Sequence, residues 1–260
     1  MTIQRTLMTL AASTALTLSM SAAFADNNDT DLNQSGNNNN VAINQSGGDN
    51  NSADINQSGN RNDAGSIAQN LTQVGDSSDL TILQSGNDND IGVSGSNADD
   101  GTVGIFQNST SSSGNEIVIR QTNNDNDVNA VSQASGSSSL SNNTLTINQG
   151  GKRNTVASIY QRAASSVSNQ ATVTQSGNDN LLARVSQDAR AGGNKDNMIT
   201  ITMSGNGNGT GALTGAASTP GALTSTLLQG TDLGTIENKI EMVVSGNNNE
   251  FGVTQLGAEH

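Results

Sequence analysis

A glutamine, a glycine two residues later and an asparagine five residues later recur along this 260-residue chain, as in Gln84–Asn89 and Gln175–Asn180, both QSGNDN. The first glutamine slot holds Gln34, Gln57, Gln84, Gln121, Gln149 and Gln175, then Met203 and Val244. The asparagine slot holds Asn39, Asn62, Asn89, Asn126, Asn154, Asn180, Asn208 and Asn249. A second glutamine slot reads Gln45, Gln69, Gln107, Gln133, Gln161, Gln187, Gln229 and Gln255. A primary amide is neither nucleophile nor base; it is a planar set of donors and an acceptor. The chemistry on offer is hydrogen bonding. Like amides stacked in register can each donate to a neighbouring copy and accept from the other, whereas a buried amide left unpaired costs roughly 1–3 kcal/mol.

Catalysis has little to work with. The only His is His260 at the end of the sequence, there is no Cys, and Glu237 and Glu241 stand among solvated residues. No nucleophile–base arrangement and no Cys-based metal site can be built, so the expectation is a non-enzyme without cofactor. Structural calcium is weighed and disfavoured, because Asp88 and Asp179 of the recurring turn become Arg61 and Arg153 elsewhere. An outward Thr-x-Thr ladder for a surface-binding solenoid begins at Thr144/Thr146, Thr172/Thr174 and Thr200/Thr202 and is broken by Asp54/Asn56 and Val118/Arg120.

The elements that position the amides follow from a period of two. Aliphatic residues stand two before each first slot (Leu32, Ile55, Ile82, Ile119, Ile147, Val173, Ile201, Met242). They also stand two before each second slot (Ile43, Ile67, Ile105, Val131, Ile159, Val185, Leu227, Val253). Residues i, i+2 and i+4 share one face of a strand, so amides and aliphatics face one interior. Gly and Asn between the two slots supply a bend. A strand–arc–strand coil is too thin to bury its own inner face; stacking coil on coil buries a continuous narrow core. The predicted fold is all-β, a β-solenoid of about eight stacked coils with cross-β character.

Organisation is simple. Residues 1–25 read as a secretory signal peptide: Arg5, an apolar run from Leu7 to about Met20, then Ala23-Phe24-Ala25 with cleavage after Ala25. Residues 26–260 read as a single solenoid, with insertions at about 90–101 and 206–221, the latter holding the only proline, Pro220. No other segment approaches the ~20 apolar residues of a membrane-spanning helix. Leu, Ile, Val and Phe number 50, about 19% of the chain, beside a formal net charge of −13. That is too little apolar surface for an ordinary globule, and an acidic chain with 2% aromatic residues suits no nucleic acid.

The repeat, Gln-x-Gly-x-x-Asn followed by a second Gln, resembles the curlin repeat of bacterial curli fibre subunits, and it does so from about Asn28 to Gly257. Where curlin repeats begin with Ser six residues before the first Gln, this chain has Asn28, Asn51, Asn115, Asn143, Asn169, Asn197 and Asn238, with Ser78 the one match. The resemblance implies export across the outer membrane through a dedicated pore, a second curlin-like subunit, and polymerisation into cell-surface amyloid for adhesion, aggregation and biofilm matrix. Both a bulk subunit and a nucleator fit. The alternative is a monomeric secreted solenoid that acts as an adhesin or ligand-binding protein.

Overall fold

The computed structural model describes residues 6–10, 16–18, 27–46, 49–65, 71–75, 78–92, 104–109, 115–135, 142–163, 167–189, 195–211, 226–231 and 238–256. Every described element is a strand, bridge or turn. One side of the molecule is a nine-stranded sheet in the order β1 (Thr6–Leu10), β3 (Asp29–Asn37), β5 (Ser52–Asn60), β8 (Asp79–Asn87), β11 (Asn115–Gln121), β14 (Asn142–Gln149), β17 (Val167–Gln175), β20 (Lys195–Met203) and β22 (Asn238–Val244). All its pairings are parallel. The chain therefore returns to the same side once per repeat and lays each strand beside the last. This is a β-solenoid, as the period-two pattern requires.

The other side is built from shorter pieces. β4 (Asn40–Ser46) is continuous, and β2 (Leu16–Leu18) pairs with it. In later coils the same path breaks into a two-residue strand and a longer one: β6 (Asp63–Ala64) and β7 (Leu71–Gly75), β9 (Asp90–Ile91) and β10 (Gly104–Ser109), β12 (Asp127–Val128) and β13 (Ala130–Ser135). The pattern continues with β15 (Thr155–Val156) and β16 (Ile159–Ala163), then β18 (Leu181–Leu182) and β19 (Arg184–Ala189), and closes with β21 (Thr226–Thr231) and β23 (Gly252–Leu256). Two of these breaks carry Gly65 and Gly92 at φ 73° and 64°, where a side chain would be strained. Extra residues enter at this corner, because a corner has no ladder to interrupt. The insertion expected from about Asp90 thus begins beyond β9 and Gly92, and residues 93–103 lie outside the described residues. At the second insertion, 206–211 still follow the repeat, while 212–225, Pro220 among them, lie outside.

Aliphatic ranks fill the interior. Ile55, Ile82, Ile119, Ile147, Val173 and Ile201 form one rank, and Ile43, Leu71, Ile105, Val131, Ile159, Val185 and Leu227 face it, each at most 2% exposed. A third rank comes from the short strands: Val41, Ala64, Ile91, Val128, Val156 and Leu182. Burying each large aliphatic contributes roughly 1.5–3 kcal/mol, and neighbouring coils share the gain because each rank runs along the rod axis.

Candidate functional site: the stacked amide ladders

The first glutamine slot runs through the core as a hydrogen-bonded column. Gln34 Nε2 donates to Gln57 Oε1 (2.6 Å), Gln57 to Gln84 (2.7 Å), Gln84 to Gln121 (3.0 Å), Gln121 to Gln149 (2.9 Å) and Gln149 to Gln175 (2.9 Å). Each Nε2 from Gln57 onward also reaches the carbonyl five residues ahead, as in Gln84 to Asn89 (2.8 Å). This second bond closes the bend, which is why a glutamine and not an aliphatic residue recurs where the strand ends. All six glutamines are nearly or fully buried.

The asparagine slot forms a second column of opposite sense. The backbone N–H and Nδ2 of Asn62 both point to Asn39 Oδ1 (3.0 and 3.3 Å), and the same pair of bonds joins Asn89 to Asn62, Asn126 to Asn89, Asn154 to Asn126, Asn180 to Asn154, Asn208 to Asn180 and Asn249 to Asn208. The oxygen thus faces the following coil, whereas the glutamine oxygen faces the preceding one.

In the second glutamine slot one reading is corrected. Gln45 Nε2 donates to Gln73 Oε1 (2.8 Å), and Gln73 to Gln107 (3.0 Å); the register pairs Gln45 with Gln73. Gln73, not Gln69, holds this slot, and Leu71 takes the inward place expected for Ile67, both of which lie outside the described residues. Gln73 Nε2 reaches the Ser78 carbonyl five residues ahead (2.9 Å), and so closes the bend into β8. Beyond Gln107 the column continues to Gln133 (3.4 Å), and Gln187 donates to Gln161 (2.8 Å). Gln229 pairs in register with Gln187 and Gln255. The Thr columns are offset from the expected pairing: Thr146, Thr172 and Thr200 align, between Val118 and Glu241.

Two further ladders escaped the sequence reading. Asn51 N–H and Nδ2 donate to Asn28 Oδ1 (2.9 and 3.2 Å), and Ser78 N–H to Asn51 Oδ1 (3.0 Å); the recurring Asn six residues before the first slot was its signal. At the surface, Asn37, Asn60, Asn87 and Asn124 stack through their side chains. Beside them runs a column in which Asn38, Arg61, Asp88, Asp125, Arg153, Asp179 and Asn248 all sit at φ 54–59°. Asn and Asp tolerate this left-handed geometry, and arginine holds it here twice, with a carboxylate directly above. Arg61 makes a fork with Asp88 (2.5 and 2.6 Å) and Arg153 with Asp179 (2.6 and 2.8 Å). The hydrogen bonds from these guanidiniums hold both carboxyls below their ordinary range. Exposed pairs of this kind contribute little to stability.

Asp63, Asp90 and Asp127 stack without such partners, aligned on successive short strands. Burial, then the flanking Asp127, Asp63 and Asp88, pushes the Asp90 carboxyl up to about 6. Burial likewise raises Asp63, and burial together with Asp125 raises Asp127. A raised carboxyl binds its proton more tightly when folded, so stability is greatest below the unfolded value near 4 and is lost as pH climbs towards 6. Urea midpoints should rise on acidification from pH 7 to about 4. Asp90→Asn should raise the unfolding free energy at pH 7 by about 1 kcal/mol, after allowance for solvent screening, and flatten the profile. A flat wild-type profile would remove the carboxylate stack as a source of pH dependence.

Among the described residues no group of three or more His, Asp or Glu could hold a metal ion, and no helix is long and apolar enough to cross a membrane. Ala25 and His260 lie outside the described residues. No curated protein and no solved structure matches the chain. The family model for the curlin associated repeat matches residues 25–59 and 48–95, and the ladders carry the same register onward to β22 and β23. Over residues 25–95 the chain is thus similar to the curlin associated repeat family.

Proposed function

We propose that this chain is a secreted structural subunit that self-assembles into extracellular curli-like amyloid fibres for adhesion, aggregation and biofilm matrix. The observation that carries the reading is that the ladders do not close within one chain. Among the described residues β22 and β23 end the rod with the same parallel edge that every interior coil offers its neighbour, and an unpaired strand edge templates further pairing. At the other end, the edges of β3 and β4 are taken by β1 and β2 of the leader. Cleavage after Ala25 frees that edge. The released chain carries one negative charge more than the −13 of the full sequence, which keeps it soluble while unfolded, as passage through an outer-membrane pore demands. A second curlin-like subunit would start the fibre, and the cell surface is where it grows.

Residues 26–260, incubated with an amyloid dye, should polymerise after a lag that preformed fibres abolish, and aligned fibres should diffract at about 4.7 Å along their axis. A concentration-independent monomer, indifferent to seeds, would instead identify a soluble adhesin. Chain carrying residues 1–25 should seed and elongate more slowly than chain beginning at Asp26, since its leader strands occupy the docking edge. Equal rates would remove the leader from the account.

A further inference from the structure

The glutamine column has a direction, and it does not match at the two ends of the chain. In every described pair of the first slot, Nε2 of one coil donates to Oε1 of the next. Gln34 Oε1 therefore faces the N-terminal end of the rod, where it is buried without a hydrogen-bond partner. The residue aligned with it on β1 is Leu10, which carries no donor. At the far end the slot is held by Met203 and then by Val244, also without donors. The other end groups do match. Gln45 Oε1 already accepts the Thr30 hydroxyl (2.9 Å). Asn249, which donates back to Asn208 Oδ1 (2.9 Å), turns its own oxygen outward in the sense that receives the next Asn.

We propose that Val244 sets the strength of the contact between successive copies of this chain: when the β22–β23 end of one copy docks on the β3–β4 end of the next, the asparagine column continues across the junction and the first-slot glutamine column does not. This rests on the self-assembly reading above. The occupant is a second copy, because both edges are parallel strands in the repeat register and because β1 and β2 already seat on β3 and β4 in that register, Leu10 aligned with Gln34 and Leu18 with Ile43. Within the chain the break at Met203 leaves no first-slot glutamine oxygen unpaired: Gln175 Oε1 accepts from Gln149, and Gln175 Nε2 is spent on the Thr155 and Asn180 carbonyls. At the junction the break falls on an acceptor. Each copy-to-copy contact is thereby weaker than a coil-to-coil contact inside the chain, so a fibre has a regular weak joint once per chain.

A glutamine at 244 alone would supply the missing donor and leave its own oxygen facing Met203, so the repair needs both positions. The double variant Met203→Gln/Val244→Gln, recovered after secretion, should show a critical concentration for fibre growth roughly tenfold below that of the wild-type chain. Met203→Gln alone should leave it unchanged, because that slot is interior. Monomer urea midpoints of all three chains separate junction strength from folding. An arm that requires no altered fold uses peptides on wild-type fibre growth. The β17 sequence Val167–Gln175 carries a first-slot donor and should block the N-terminal edge at roughly a tenth of the concentration needed by the same peptide with Gln175→Val. Fibres from wild type and double variant with equal critical concentrations, or peptides of equal potency, would overturn the proposal. Absence of fibres from every chain would overturn the self-assembly reading and this inference with it.

Discussion

Gly177→Ala is expected to cost about 4 kcal/mol or more, enough to part the solenoid at that coil. A Cβ built on Gly177 would lie 1.5 Å from the Gly205 carbonyl oxygen and 2.4 Å from its carbon. Both are backbone atoms of the next coil, so no side chain can swing aside. Relief requires the two arcs to move apart by more than an ångström. The Asn180 Nδ2 bond to the Gly205 carbonyl (3.0 Å) spans that gap and would be lost with it. Gly150→Ala, on the equivalent arc of the preceding coil, is the control. Its Cβ would meet only Thr122 Oγ1 at 3.9 Å, and the change should stay within about 0.5 kcal/mol. Urea unfolding of the two variants side by side decides the matter; similar midpoints would mean that the arcs are not held by backbone contact.

This result bears on how much of the molecule its sequence makes legible. Glycine two residues after the first slot is visible as a recurrence, and a bend explains it only in part. The structure adds that the arcs stack backbone on backbone, which no residue with a Cβ permits. The coil with Asn123 at this place is the exception, and there the spacing is looser: a Cβ on Gly86 would stand 2.4 Å from the Asn123 oxygen, against 1.8 Å for Gly59 on Gly86. The aliphatic ranks and the two main amide columns were legible because strand parity alone assigns a face. Gln73 was missed for a physical reason. Ile67-Ala68-Gln69 and Leu71-Thr72-Gln73 both satisfy parity, and the choice falls to the Ser78 carbonyl, a partner that spacing from the preceding slot does not consider. The donor–acceptor sense of each column was equally hidden, since an amide written as one letter has no direction until it is placed among neighbours.

The direction of the amides makes Gln121→Glu a strongly damaging change despite its near-isosteric side chain. Gln121 is fully buried, and its two Nε2 hydrogens are shared among Gln149 Oε1 (2.9 Å), the Asn126 carbonyl (2.8 Å) and the Asp90 carbonyl (3.2 Å), while its Oε1 accepts from Gln84 (3.0 Å). Glutamate has the same shape and puts an oxygen where all three acceptors expect a donor. At pH 7 the variant must bury an unpaired carboxylate or open the column, and the expected loss is roughly 3–5 kcal/mol. Gln121→Leu removes the same donor without adding charge, and should cost about 2–3 kcal/mol for the acceptors it leaves unpaired. The order of urea midpoints at neutral pH is therefore wild type, leucine, glutamate. Acid should reverse the last step. Burial among acceptors raises the folded carboxyl above its unfolded value, so the glutamate variant recovers stability as pH falls through the folded value, and the protonated acid can donate one hydrogen bond that leucine lacks. A glutamate variant that matches leucine at every pH would mean that the column is wet enough to solvate a charge. The dry ladder, and with it the reason that these slots conserve their amides from coil to coil, would then have to be abandoned.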